Sequence, residues 1–168
     1  IILGADAANA EAHAALVEAL WRQGRAPEAV AAAEKARAAS ADSAALRLSL
    51  ASAWSLLARW SDVTQTLAAD LDPATASADA LLLAGIAQRE QGQLDAARQR
   101  LEILTRRYPA DRRGWVNLAR LELGVNRPAQ ALGALQHLST ESVEVLYLKA
   151  RAQALGGQSQ VAIATITQ

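Results

Sequence analysis

The 168-residue chain carries 17 basic and 17 acidic side chains, and its zero formal net charge argues against a nucleic-acid-binding protein. It has no cysteine, which excludes disulfides and thiolate metal sites. Hydrophobic residues make up 52% and aromatic residues only 4%, so Ala, Leu, Val and Ile must form the core. Strand-like alternation is absent before the last few positions, so we expect an all-α fold.

The first residues, IILGADAAN, do not begin with Met. We expect residues 1–9 to be the end of a preceding second helix with its loop, and the chain to be a piece of a longer protein. No apolar run approaches the ~20 residues that span a bilayer. We therefore expect no direct membrane insertion of this segment.

Turn-like positions then recur along the chain every 34 residues. Glycine and asparagine are the residues that best tolerate the left-handed conformation with which helices end. Alanine tolerates it less well. The spacing predicts helical hairpins that turn at Gly24, Ala58, Gly92 and Asn126, with a fifth turn at Gly156-Gly157.

The apolar pattern on both sides of these turns also repeats. The run WVNLA, with Trp115, Leu118 and Ala119, recurs as LLLAG and HAALV in other first helices. Each second helix has an early small or β-branched residue, followed four positions later by an apolar one. The early residues are Ala29, Val63, Ala97, Ala131 and Ala162, and the later ones are Ala33, Leu67, Leu101, Leu135 and Ile166.

A 34-residue helix–turn–helix period with this pattern resembles the tetratricopeptide repeat (TPR) family over roughly residues 10–168. The resemblance implies an all-α, right-handed superhelical solenoid in which each repeat touches its neighbours. Residues 1–168 would form a single array with repeats at about 10–43, 44–77, 78–111, 112–142 and 143–168, the last one truncated. Arg47 departs from the pattern, since a bulky apolar residue is usual at its position.

Gly85 lies in an otherwise strong helical run, where glycine costs about 1 kcal/mol relative to alanine. We interpret it as a point where two helix backbones approach closely, with Gly85 facing Ala97 across the hairpin. A large residue at position 85 is then expected to destabilise the array by about 1–3 kcal/mol.

Neither end of the array has a polar capping helix. We expect partly uncovered apolar side chains there, through which copies of the chain could associate with one another. These side chains are Ile1, Ile2 and Leu3 at one end, and Val161, Ile163 and Ile166 at the other.

No catalytic or metal-ligating pattern is present in the sequence. The two histidines, His13 and His137, lack metal-ligand spacing, and His13 falls at a packing position. Asp70 and Asp72 precede Pro73, where turn formation explains them. No Gly-x-Ser-x-Gly or phosphate-binding glycine loop occurs. We expect a non-enzymatic chain with no catalytic residue, no metal site and no cofactor.

The family resemblance implies a concave groove built from the first helices. The partner-binding residues would be Glu18, Arg22, Leu48, Ser52, Leu82, Ile86, Arg89, Val116, Arg120, Tyr147 and Arg151. They include an apolar row and, beside it, a basic row of three arginines. This favours a peptide with apolar anchors and some acidic character. The alternative is that neighbouring helices cover the apolar row.

The leading functional hypothesis is a non-catalytic scaffold that binds a partner protein or peptide. We expect a bacterial cell-envelope assembly such as exopolysaccharide export, and a periplasmic rather than cytoplasmic location. The groove lacks the Lys and Asn residues with which related proteins clamp acidic chaperone tails. Two alternatives stay open: a substrate-recruiting array attached to an enzyme such as a glycosyltransferase, and a passive spacer.

Overall fold

The computed structural model describes residues 10–38, 42–138 and 142–167. These ranges are helical, with short turns and no strand, and the expected all-α fold of helical hairpins is confirmed. The helices are α1 Ala10–Arg22, α2 Ala26–Ala38, α3 Ala44–Leu56, α4 Trp60–Leu67, α5 Ala78–Glu90, α6 Leu94–Arg107, α7 Arg112–Gly124, α8 Pro128–Leu135, α9 Val143–Leu155 and α10 Ser159–Ile166. A short 3₁₀ turn, Ala68–Asp70, follows α4.

The chain divides into two compact units, Ile1–Gly92 and Gln93–Gln168, called unit 1 and unit 2 below. In unit 1 the odd-numbered helices α1, α3 and α5 pack in sequence, with α2 and α4 against them. In unit 2, α7 packs on α6, α8 and α9, and α10 packs on α9. The division into five repeats, and the preceding repeat at residues 1–9, stay predictions, and the latter lies outside the described residues.

The five turns between paired helices have the left-handed backbone conformation that was predicted, four of them at the 34-residue spacing and the fifth, at Gly157, earlier than that spacing. Positive φ angles of 53° to 80° occur at Gly24, Ala58, Gly92, Asn126 and Gly157. Such angles are favourable for glycine, tolerable for asparagine and strained for alanine. The predicted turn positions are therefore confirmed, including the unfavourable Ala58.

Polar residues just before the first helices explain where those helices begin. The hydroxyl oxygens of Ser43, Ser77 and Ser142 each accept a hydrogen bond from the backbone N–H three residues later. Asp111 accepts one from the N–H of Arg113. Each cap satisfies a backbone donor that the helix itself leaves free, and is worth about 1 kcal/mol.

The apolar core of unit 1 lies between the paired helices. Leu46, Leu50, Val63 and Leu67 are essentially inaccessible to solvent, and Ala51 is buried in the same apolar cluster. Each buried Leu or Val side chain contributes roughly 1.5–3 kcal/mol relative to exposure. The small and large residues that suggested the family resemblance are thus the residues that pack in this core.

Unit 2 has an equivalent core around Ala119, Leu135 and Val145. At its other side, α7 begins so close to α6 that a side chain at Gly114 would press against α6. A Cβ atom there would lie 3.0 Å from Leu104 Cγ and 3.2 Å from Thr105 Cγ2. Gly85 is also buried, and its contact with Ala97 stays a prediction.

Asp70 and Asp72 play different roles. The Asp72 carboxylate accepts hydrogen bonds from the N–H groups of Ala74 and Thr75, which is the expected turn. Asp70 does lie in the 3₁₀ turn at the end of α4, and in addition both of its carboxylate oxygens accept hydrogen bonds from Arg47, at 2.7 Å each. The sequence pattern missed this pair because 23 residues separate its members.

The last helix, α10, is exposed on its apolar face. Ile166 is 65% exposed, although Leu101 and Leu135 at the matching places of α6 and α8 are buried. Val161 and Ile163 are also exposed, so the uncovered face expected at this end is confirmed. Ile1, Ile2 and Leu3 lie outside the described residues. No helix in the described ranges is long and apolar enough to cross a membrane.

Candidate partner-binding surface

The predicted groove residues lie on the first helices, α1, α3 and α5 in unit 1 and α7 and α9 in unit 2. Most occupy two matching places per helix, four residues apart, and therefore share one face of each helix. Within unit 1, α3 contacts both α1 and α5, and within unit 2, α7 contacts α9. The structure thus brings the predicted residues together within each unit.

In unit 1, the predicted residues of α1 and α3 are accessible to solvent at least in part. Glu18 and Arg22 form an exposed ion pair of 2.7 Å along one turn of α1. Leu48 is half-buried, and the Ser52 hydroxyl donates a hydrogen bond to the Leu48 carbonyl oxygen at 2.9 Å. An exposed ion pair of this kind contributes little to stability, so these side chains can be rearranged at small cost.

The predicted residues of α5 offer less surface. Leu82 is only 8% exposed, and Ile86 is half-buried. The Arg89 guanidinium pairs with Glu90 at 2.7 Å. Leu82 therefore belongs to the packed interior, as the alternative interpretation of the apolar row proposed.

In unit 2, too, some of the predicted groove residues are buried and others are exposed. Val116 on α7 is only 6% exposed, whereas Tyr147 on α9 is 58% exposed. Arg120 of α7 forms a 2.6 Å ion pair with Glu144 of α9 and so links the two helices. Arg151 is exposed, and no ion pair joins it to another described residue.

Tyr147 thus lies on a surface that also contains Val143, Glu144 and Arg151 of α9 and Arg120 of α7, called the α7–α9 surface below. Val143 is 85% exposed and was not among the predicted residues. The sequence signal for an exposed Val143 was its position. It is an apolar residue directly after the helix-capping Ser142, before the apolar periodicity of α9 begins. Charge on this surface is mixed, because Glu144 neutralises Arg120.

Sites for chemistry were not expected, and within the described ranges no group of three or more His, Asp or Glu side chains could hold a metal ion. His137 stacks on the Trp115 ring, with ring centroids 3.9 Å apart. Trp115 in turn donates an indole hydrogen bond of 2.9 Å to the Pro109 carbonyl oxygen. The histidine is therefore part of a packed aromatic pair.

Comparison with known proteins agrees with this architecture. Residues 79–111 match the tetratricopeptide-repeat family model. The fold is similar to that of MamA (residues 41 to the end) from Desulfovibrio magneticus RS-1, with a TM-score of 0.82, 16% identity, and 95% of this chain and 92% of that chain covered. A search of curated protein sequences gave no significant match.

Two further solved structures are similar over nearly the whole chain. MamA MSR-1 C2 has a TM-score of 0.76 at 17% identity, with 94% of this chain and 92% of that chain covered. TPR-like repeats of a putative kinesin light chain from Podospora anserina have a TM-score of 0.74 at 18% identity, with 96% and 93% covered. At these identities the likeness shows the fold. Taken with the match of residues 79–111 to the tetratricopeptide-repeat model, it shows that the chain has the fold of a TPR-like helical solenoid.

Proposed function

We propose that this chain is a non-catalytic scaffold whose first helices bind a partner protein or peptide, and that the α7–α9 surface is the principal contact in unit 2. The repeat fold supports a protein-binding role, because repeated helical pairs present side chains in register over an extended surface. The α7–α9 surface supplies the side chains that such binding needs.

The observation that carries this proposal is the exposure of Tyr147 beside an ion pair that joins two helices. Tyrosine has a large apolar ring and a polar tip, and it is enriched at protein interfaces. On α9 the large apolar side chains of Val145 and Leu148 are buried, whereas Val143 and Tyr147 are 85% and 58% exposed. Arg120, Glu144 and Arg151 surround them with charges that can select a partner.

The test is co-purification of the parent protein from its native cells, followed by mass spectrometry of the bound proteins. Tyr147→Glu and Arg120→Glu place like charges on the α7–α9 surface without changing a buried residue. Val161→Glu is the matched control, because it introduces the same charge at an exposed apolar residue of α10.

A partner that is retained by the wild type and the control, and lost from both α7–α9 variants, supports the proposal. Retention by all four proteins would remove the α7–α9 surface as the contact and favour a passive spacer. A partner that co-purifies only when a neighbouring catalytic domain is present would favour the enzyme-linked array.

We also propose that the scaffold serves a bacterial cell-envelope assembly, such as exopolysaccharide export, in the periplasm. The Ala-, Arg- and Leu-rich style of the repeats supports the bacterial origin alone. Fractionation of native cells with an antibody to the chain tests this proposal. Recovery with the cytoplasmic fraction would overturn it.

A further inference from the structure

One face of α1 is uncovered, although the same face is buried on the later first helices. Leu16 is 40% exposed, whereas Leu50 and Ala84, one and two 34-residue periods later, are 1% and 0% exposed. Ala19 is also exposed, whereas its match on α3, Ala53, is inaccessible to solvent. Leu16 and Ala19 are three residues apart and therefore share one face of the helix, called the α1 outer face below.

On the later first helices, the preceding hairpin covers this face. Helix α3 packs on α1 and α2, and α5 packs on α3 and α4. On α7 the match of Leu16 is Leu118, and Gly114 lies one turn before it on the same face. Gly114 lies against Leu104 and Thr105 of α6, the second helix of the preceding pair. The α1 outer face is therefore the kind of surface that a preceding second helix covers.

Helix α10 has the complementary uncovered face. Ile163 and Ile166 are 58% and 65% exposed, and the three residues between them place them on one side of the helix. Leu135, at the place of Ile166 on α8, is inaccessible and belongs to one core cluster with Val145 of α9. Helix α9 is the first helix that follows α8 and packs on it. Ile163 and Ile166, called the α10 outer face below, are thus where a following first helix would pack.

Two charged side chains near these faces lack the partner that their matches have. Arg120 of α7 pairs with Glu144 of α9 at 2.6 Å, between two successive first helices. Arg151 is the ninth residue of α9 as Arg120 is of α7, and Glu11 is the second residue of α1 as Glu144 is of α9. Both Arg151 and Glu11 are exposed, and neither forms an ion pair with another described residue.

The two units also carry opposite net charges, which the zero total for the whole chain conceals. Unit 1 has 7 basic and 11 acidic residues, and unit 2 has 10 basic and 6 acidic residues. Their formal charges are therefore −4 and +4. Opposite charges attract unit 2 of one copy to unit 1 of another copy and disfavour contacts between like units.

We propose that copies of this chain associate head to tail, with the α10 outer face of one copy packed on the α1 outer face of the next. Arg151 then pairs with Glu11 of the next copy, as Arg120 pairs with Glu144 within one copy. The inference rests on the proposed function, since Arg151 belongs to the α7–α9 surface and a second copy becomes the protein that this surface contacts. A contact between two different faces leaves both ends open, so that further copies can add.

The first experiment measures the molecular mass of the 168-residue chain by sedimentation equilibrium over a range of concentrations. We expect the wild-type mass to rise with concentration beyond that of a dimer. Leu16→Glu and Ile166→Glu each place a charge on one outer face, at an exposed residue, so each variant alone is expected to stay monomeric. Leu56→Glu is the matched control, because Leu56 is 55% exposed at the end of α3, and it is expected to associate like the wild type.

A mixture of the two blocked variants tests whether the contact joins different faces. Ile166→Glu keeps an intact α1 outer face, and Leu16→Glu keeps an intact α10 outer face. An equal mixture is therefore expected to form a one-to-one complex that grows no further. Dimers that persist in Leu16→Glu or Ile166→Glu alone would show that like faces pair, and would overturn the inference.

The second experiment tests the ion pair between copies. Arg151→Glu and Glu11→Arg each place like charges opposite one another, and we expect each to weaken association about tenfold. In an equal mixture of these two variants, opposite charges face each other again at every contact between unlike copies. We expect such a mixture to associate like the wild type, and failure to recover would contradict the assigned pairing.

Failure of this inference can be distinguished from failure of the proposed function. A chain that stays monomeric at every concentration would overturn head-to-tail association, whereas a different protein that co-purifies and is lost in Tyr147→Glu would still support the proposed function. Head-to-tail association of a chain with which no other protein co-purifies would support the inference and leave a second copy as the partner.

Discussion

Arg47 and Asp70 form a bidentate ion pair in unit 1, in which the guanidinium Nε and one terminal nitrogen each lie 2.7 Å from a carboxylate oxygen. Arg47 belongs to α3 and Asp70 to the short 3₁₀ turn after α4, so the pair fastens that turn to the first helix of the hairpin. A third contact, of 2.9 Å, joins Arg47 to Asp42. The arginine that broke the family pattern is therefore a structural residue with its own partners.

Removal of one member of the Arg47–Asp70 pair is expected to destabilise unit 1. Both side chains are at most one-fifth exposed, so Asp70→Ala leaves a poorly solvated guanidinium without its main partner. We expect a loss of about 2 kcal/mol in the free energy of unfolding, measured by urea denaturation. In the double variant with Arg47→Leu, which restores the apolar residue seen at Leu81, we expect most of that loss to be recovered.

An exposed pair provides the control for that cycle. Arg25 and Glu28 also form an ion pair, but both side chains are about half exposed. Glu28→Gln is expected to leave the unfolding midpoint unchanged, because solvent screens such pairs. A change as large as that of Asp70→Ala would contradict the role assigned to burial.

Ala58 is expected to be a weak point of the array. Its φ of 53° is a left-handed conformation, which costs an L residue roughly 1–2 kcal/mol. Ala58→Gly relieves this strain, although glycine gains entropy in the unfolded chain, and we expect a net stabilisation of about 0.5–1 kcal/mol. Gly92→Ala, at the matching turn with φ 74°, is expected to destabilise the folded chain. Urea denaturation of each single variant measures the two shifts. Shifts of the same sign would contradict this account.

Gly114 is expected to tolerate a large side chain poorly. A Cβ atom there would lie 3.0 Å from Leu104 Cγ and 3.2 Å from Thr105 Cγ2, so a larger side chain must displace these two side chains. We expect Gly114→Leu to lower the free energy of unfolding by about 1–3 kcal/mol, seen as a lower thermal midpoint. Gly124→Ala, where a Cβ meets nothing within 4 Å, is the control and is expected to be tolerated. Equal effects of the two changes would show that close packing is not the cause.

The N-terminus of α7 is expected to depend on pH through Asp111. The Arg113 side chain donates to this carboxylate, and the Arg113 N–H donates to it as well, so that the pKa of Asp111 is lowered. Because the folded pKa lies below the unfolded value of about 3.9, the stabilisation is present above that pH and is lost as the pH falls through the folded pKa. Urea denaturation at about pH 6 and about pH 3 measures this loss.

The variant Asp111→Asn separates the charge from the cap. Asparagine can still accept the backbone hydrogen bond, so at neutral pH we expect a smaller loss than in Asp111→Ala, which removes the cap at a cost of about 1 kcal/mol. Asp111→Asn is also expected to flatten the acid-dependent part of the stability. An unchanged acid dependence in that variant would assign the effect to other carboxylates.

The helical hairpins could be predicted because their signals are local. A left-handed turn residue every 34 positions and an apolar pattern of helical period each act over a few residues, so the sequence specified the turns at Gly24, Gly92 and Asn126 directly. The caps at Ser77 and Ser142 were equally local, and attention to Ser before an apolar run would have found them. The candidate surface was only partly predictable, because a helix face in sequence does not reveal what covers it.

The sequence by itself determined that this chain is all-helical, repeats with a turn period of 34 residues, and places small residues where helices meet. Backbone propensity and side-chain size are properties of each residue and its near neighbours, and the repeat multiplies them. Only the tertiary structure decided that Leu82 and Val116 are buried while Tyr147 is exposed. It also paired Arg47 with Asp70, and it gave one oxygen of Glu122 no donor among the described residues, because burial and hydrogen bonding depend on residues that are distant in sequence and close in space.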